Sequence, residues 1–153
     1  MSMIYIIRWP RHAAGSFLYG TELRFEKDGS VHVNAPLMPS GKVMHVWRSV
    51  TNFQRDRAEP ELPVLIEGRK YRLRALLRTR PAETALLRVR FYDRQDELLQ
   101  SWIPDSLDEV FTCPAGTYQY TVELVKSGFD RMHFHYLELT ELDNDGQIPI
   151  RPM

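Results

Sequence analysis

Hydrophobic and polar residues alternate with a period of two along much of this chain. Tyr71, Leu73, Ala75 and Leu77 alternate with Arg72, Arg74 and, past Leu76, Arg78. Leu87, Val89 and Phe91 alternate with Arg88, Arg90 and Tyr92, and Tyr118, Tyr120, Val122 and Leu124 with Gln119, Thr121 and Glu123. Successive side chains of a strand point to opposite faces, so each segment predicts a strand with one buried face. Shorter segments of the same character are Ile4–Arg8, Gly20–Phe25, Val31–Asn34, Val43–Val50, Leu98–Ile103, Glu109–Thr112 and His133–Thr140. The expectation is therefore about ten strands.

Turn residues separate these segments. Lys27-Asp28-Gly29-Ser30 is a hairpin signal between Phe25 and Val31. Glu67-Gly68, Pro81-Ala82 and Pro114-Ala115-Gly116 interrupt the later segments. Phe53–Glu59 and Pro81–Leu87 have some helical character, but each is too short or too interrupted to carry a domain. The predicted fold is all-β: an antiparallel β-sandwich or jelly roll over residues 1–142, followed by a loose tail over 143–153. Thr51–Glu67 is the longest stretch without periodicity. It reads either as a crossover between two sheets or as a functional loop.

Composition adds a polarity. The 153 residues carry 20 Lys plus Arg against 20 Asp plus Glu, a net charge of zero. That balance argues against a dedicated nucleic-acid binder or a polybasic membrane protein. The charges are not mixed evenly, however. Residues 69–94 hold 9 basic and 2 acidic side chains, and residues 95–153 hold 3 and 11. A single cysteine, Cys113, cannot form an internal disulfide. The apolar start is interrupted by Arg8, Trp9 and Pro10 before signal-peptide length, and no long apolar run follows. A cytoplasmic protein without membrane insertion is expected.

Catalytic signatures are missing. The chain has no Gly-Xaa-Ser-Xaa-Gly nucleophile elbow and no phosphate-cradling glycine loop. Neither enzymatic activity nor a cofactor is expected. Cys113, next to Pro114, reads as a core filler rather than a nucleophile. Asp93 with Asp96, and Asp108 with Glu109, fall at turn positions and read as solvated charge rather than an acid–base pair. His133-Phe134-His135 places two imidazoles on one strand face, where His45 or His32 could complete a metal site; ordinary strand histidines are the simpler reading.

Two features favour binding. Arg72, Arg74 and Arg78 share one strand face, and Arg88 and Arg90 share another. If the two strands pair as a hairpin through Thr79–Thr84, all five arginines lie on one sheet face. Like charges directly opposite are destabilising, so such a face needs acidic partners. These come either from the acidic second half, through Glu123 or through Asp96 and Glu97, or from an acidic protein or a sugar. The second feature is Pro36-Leu37-Met38-Pro39-Ser40-Gly41 followed by Val43–Val50. Met44, Val46 and Val50 take one face there, with His45, Trp47 and Ser49 on the other. A tryptophan among polar groups can stack on a pyranose, unless Trp47 belongs to the core. His45, Trp47, Arg72, Arg74, Arg88, Arg90 and Tyr92 are the candidate contact residues.

The second half, from Gly68 and Tyr71 through Phe91-Tyr92-Asp93 to Leu137 and Leu139, resembles carbohydrate-binding modules of the jelly-roll type. A more specific resemblance runs over Phe17-Leu18-Tyr19-Gly20, Asn34-Ala35-Pro36-Leu37-Met38-Pro39-Ser40-Gly41, His45, Trp47, Arg69–Tyr71, Phe91-Tyr92-Asp93-Arg94 and Tyr118–Leu124. On these residues the chain resembles the third protein family of the accessory Sec system. The resemblance implies a small cytoplasmic subunit with a carbohydrate-binding-module-like fold and no activity of its own. It implies assembly with two larger accessory proteins, one glycosyltransferase-like and one esterase- or acetyltransferase-like. It also implies work beside the accessory SecA motor ATPase and contact with a serine-rich-repeat adhesin bearing N-acetylglucosamine. A free-standing carbohydrate-binding module is the alternative.

Overall fold

The computed structural model describes residues 4–11, 21–50 and 60–142. Ten strands appear in chain order: β1 Ile4–Ile7, β2 Glu22–Phe25, β3 Val31–Asn34, β4 Val43–Arg48, β5 Lys70–Arg80, β6 Ala85–Tyr92, β7 Leu98–Trp102, β8 Asp108–Thr112, β9 Gln119–Lys126 and β10 Arg131–Glu141. They form two antiparallel sheets. One runs β2-β3-β10-β5-β8, with β1 beside β10 where β3 ends; the other runs β4-β9-β6-β7. The predicted all-β sandwich is what the chain forms, and no helix lies among the described residues. The expected tail at 143–153, the Phe53–Glu59 segment and Phe17-Leu18-Tyr19-Gly20 lie outside the described residues.

The inner faces follow the alternation. Tyr71, Leu73 and Ala75 of β5 and Phe134, Leu137 and Leu139 of β10 meet Leu87, Val89 and Phe91 of β6 and Tyr120, Val122 and Leu124 of β9. Burial of such side chains stabilises by about 1.5–3 kcal/mol each before the entropy of ordering is subtracted. Breaks in strict alternation are absorbed by irregular pairing. The register of β10 against β5 shifts between Phe134 and Tyr136. An extra residue there lets Phe134 and Leu137, three apart, both face inward.

The hairpin expected through Thr79–Thr84 does not form. β5 and β6 belong to different sheets, and the chain turns a corner between them instead. Both strands alternate the same way, so each can cover the same core from opposite sides. Local pattern does not distinguish a hairpin from a corner. The arginines of β5 and β6 therefore lie on opposite outer faces of the sandwich, which corrects the single-face expectation.

Residues 60–69 carry the chain from β4 to β5. Leu62 and Leu65 are buried. Tyr120 Oη donates to the Pro63 carbonyl at 2.6 Å, and the Ile66 amide donates to Tyr71 Oη at 2.9 Å. Burial pushes both phenol pKa values up. The described part of the long aperiodic stretch is thus a docked crossover.

Candidate functional site

Trp47 and His45 are wholly buried, at 0% exposure each. The pairing of β4 with β9 is irregular between Val43 and His45, so Met44 and His45 are both enclosed. Trp47 sits among Trp9, His45 and Phe134, with ring centroids 6.2, 4.5 and 5.5 Å away. Its indole Nε1 donates to the Arg8 carbonyl at 3.0 Å. His45 stacks on Trp9 at 5.5 Å, with its Nε2 3.8 Å from Glu61. This corrects the solvent-facing sugar platform: an indole with no exposed surface cannot stack on a pyranose. The distinctive Pro36–Gly41 segment is likewise held from inside. Lys126, only 3% exposed, reaches from β9 to donate through Nζ to the carbonyls of Ala35 and Met38.

The arginines expected to dock a partner meet carboxylates of the same chain. On the outer face of the β5-containing sheet, Arg72 donates to Asp108 at 2.7 Å and Arg74 to Glu138 at 3.1 Å. The hydrogen bonds from Arg72 hold the Asp108 carboxyl below the usual carboxylate range. On the opposite face, Arg88 grips Glu123 with two hydrogen bonds, at 2.7 and 3.1 Å, and Arg90 lies 3.5 Å from the same carboxylate. Arg69 pairs with Glu141 at 2.8 Å. Every one of these contacts joins the basic block to the acidic one. Glu123 acts as the counter-charge expected for it. Asp96 instead accepts from Gln119 at 2.6 Å.

Tyr92 remains half-buried on the outer face of β6. It lines a shallow cleft of about 330 Å³ with Arg48, Val50, Asp96 and Gln119. A larger cleft, about 730 Å³, opens on the outer face of the other sheet. Its walls come from β2, β3, β10 and β5 and carry Arg24, His32, Arg78, Arg80, Arg131 and His133. His32 and His133 face each other across the strands with ring centroids 3.9 Å apart, and His135 lies 4.2 Å from His133. The first pair stacks nearly parallel, 14° apart, presenting ring faces rather than nitrogen lone pairs to each other. Among the described residues no three His, Cys, Asp or Glu come together in a way that could hold a metal ion. His133 Nε2 is 2.9 Å from Ser30 Oγ, and Ser30 Oγ donates to Asp28 at 2.6 Å. Burial and the neighbouring imidazoles push the His133 pKa down.

A third surface is apolar. β7 and β8 are edge strands on the same side of the sandwich, where Trp102 packs on Phe111 with ring centroids 5.3 Å apart. Leu98, Leu99, Ile103 and Val110 are exposed there. Residue alternation marks none of these as surface, since Leu98 and Leu99 are adjacent and an edge strand can expose both. The basic cleft is equally hidden in the sequence. Its signal is present in Arg80, Arg131 and His32, but only strand register brings them together.

The chain matches the family model for accessory secretory protein 3 of the accessory Sec secretory system over residues 16–141. It is 33% identical over 127 residues to the third accessory Sec system protein of Streptococcus gordonii, covering 83% of this chain and 80% of that protein. To the protein of the same description from Staphylococcus aureus it is 25% identical over 147 residues, which are 96% of this chain and 46% of the relative. Among solved structures it superposes with a TM-score of 0.85 and 31% identity on a chain of accessory secretory protein 1, 2 and 3 from Streptococcus pneumoniae, covering 90% of this chain and 95% of that one. A chain of the glycosylation-associated protein Gap123 complex of Streptococcus agalactiae gives a TM-score of 0.84 at 32% identity, covering 93% of this chain and 46% of that one. With a family match over most of its length and a one-third-identical relative matched over most of both chains, the chain belongs to the accessory secretory protein 3 family of the accessory Sec secretory system.

Proposed function

We propose that this chain is a non-catalytic subunit of an accessory Sec export complex. It assembles with two larger accessory proteins, the glycosyltransferase-like and the esterase- or acetyltransferase-like components. The observation that carries this reading is the likeness to the Streptococcus pneumoniae chain, which covers 95% of that protein in a structure described as accessory secretory proteins 1, 2 and 3. The apolar row Leu98, Leu99, Ile103 and Val110 supports it: exposed apolar surface along open strand edges is the kind that a partner covers.

In this reading the complex acts in the cytoplasm, peripheral to the membrane, beside the accessory SecA motor, on a glycosylated serine-rich-repeat adhesin. Sugar contact falls to the Tyr92 cleft, where a half-buried aromatic stands beside Arg48, Asp96 and Gln119. Co-expression with the two larger accessory proteins tests the assembly. The expected result is a co-purifying complex whose mass contains all three chains, weakened by Leu98→Asp with Val110→Asp. A chain that stays alone at micromolar concentration overturns the proposal.

A further inference from the structure

Two arginines of the sandwich stand directly opposite carboxylates, and at one corner an arginine stands opposite another arginine instead. Arg74 stands directly opposite Glu138, and Arg88 directly opposite Glu123. Near the start of β10 the same register sets Arg131 opposite Arg80 and His133 opposite Arg78. Like charges directly opposite each other destabilise a sheet. Arg78, Arg80 and Arg131 are exposed, and among the described residues none of them has an ion pair. These cations line the cleft of about 730 Å³ on the outer face of this sheet.

We infer that this cleft is a docking site for an extended, acidic polypeptide segment, rich in aspartate or glutamate, of a protein partner. Residues two apart on one strand are separated by about 6.7 Å, and neighbouring strands by about 4.8 Å. Arg78 and Arg80 on β5, with Arg131 on β10, thus make a cationic frame on that spacing. An extended chain presents every second side chain to one side at the same interval, so alternate carboxylates can meet successive guanidinium groups. Among the described residues no Trp, Tyr or Phe lines the cleft, and its two imidazoles stack on each other, so these residues offer neither a pyranose platform nor a free aromatic stacking surface for bases. The described lining comes from this chain alone, so the docking can be tested without the export complex.

The full chain is titrated with a labelled peptide about ten residues long in which glutamate alternates with glycine, giving carboxylates about every 7 Å. Saturable binding is expected at low ionic strength, weakening severalfold as salt is raised. Arg80→Ala with Arg131→Ala should weaken it by at least about tenfold, with the melting temperature unchanged or raised, because a like-charge pair is removed. Arg94→Ala, which deletes one guanidinium group near Tyr118, away from the cleft, should leave binding unchanged. The inference is overturned by no binding, or by equal losses in the two variants. It is also overturned by tighter binding of oligothymidylate or phosphatidylglycerol vesicles than of the peptide, which identifies a different class of ligand.

Discussion

Deleting the Glu123 carboxylate should destabilise the fold more than a surface ion pair can account for. The Glu123 side chain is 8% exposed and the Arg88 side chain 26%. Exposed pairs contribute about 0.2–1 kcal/mol, whereas removing one member of a buried pair costs about 3–5 kcal/mol because the other charge is left desolvated. Arg88 can partly rehydrate, and Arg90, at 35% exposed, can do so further, which lowers the figure. Glu123→Ala should therefore cost about 2 kcal/mol, and the coupling in a cycle with Arg88→Ala should approach that value. For a domain of this size such a loss corresponds to a fall in Tm of about 4–8 °C. Urea titrations of the four proteins measure the coupling, and repeating them in high salt should leave most of it, since a half-enclosed pair is screened less than an exposed one. The charge reversal Arg88→Glu with Arg90→Glu should for the same reason melt the protein rather than selectively release a partner. A coupling below about 0.5 kcal/mol, or one abolished by salt, would falsify the assignment of these arginines to the fold.

Other substitutions probe the remaining assignments. Lys126→Met removes the donor to the Ala35 and Met38 carbonyls; a loss of about 1–3 kcal/mol is expected, and an unchanged urea midpoint refutes the anchor. Trp47→Ala should cost about 3–5 kcal/mol through the cavity it leaves, so a variant with wild-type stability contradicts the core assignment. His133 prefers its neutral form in the folded state, facing His32, His135, Glu26, Asp28 and Ser30 with Arg78 opposite. The unfolded chain then binds more protons, so this group's stability contribution is complete above about pH 6.5 and declines as the pH falls below it. His133→Gln should flatten that part of the stability–pH curve, and an unaltered slope rejects the assignment. Cys113 is buried and its thiol pKa is raised by burial; alkylation should be slow in the native protein and fast in urea, whereas rapid native labelling contradicts the structure.

The period-two pattern makes the fold legible because it reports a physical fact, one buried face per strand. It places Val31–Asn34 with the observed bounds, and most other strands within a residue or two. It does not assign strands to sheets. Ala85–Tyr92 follows Lys70–Arg80 after only a short turn, yet the chain crosses the core at that point. Both strands carry their apolar residues in the register that either arrangement needs. The candidate site suffers more from the same gap. His45 and Trp47 alternate as though exposed, and a local irregularity of β4 turns them inward. Lys126 reads as surface charge because nothing local marks the two carbonyls it reaches.

The meaning of a charge depends on register in the same way. The segmental imbalance is largely neutralised within the molecule: Arg69, Arg72, Arg74, Arg88 and Arg90 each meet a carboxylate from the acidic half. A partner-binding arginine is therefore not marked by membership of the basic block. It is marked by what stands opposite it. Arg74 faces Glu138 and serves the fold; Arg80 faces Arg131 and does not. A sheet that sets Arg74 against Glu138, yet leaves Arg131 opposite Arg80 and sets only a neutral imidazole, His133, opposite Arg78, retains a repulsion that one acidic substitution could remove. Its retention makes physical sense when something outside the described fold meets those rows, which is why an acidic segment is the occupant that this surface fits best.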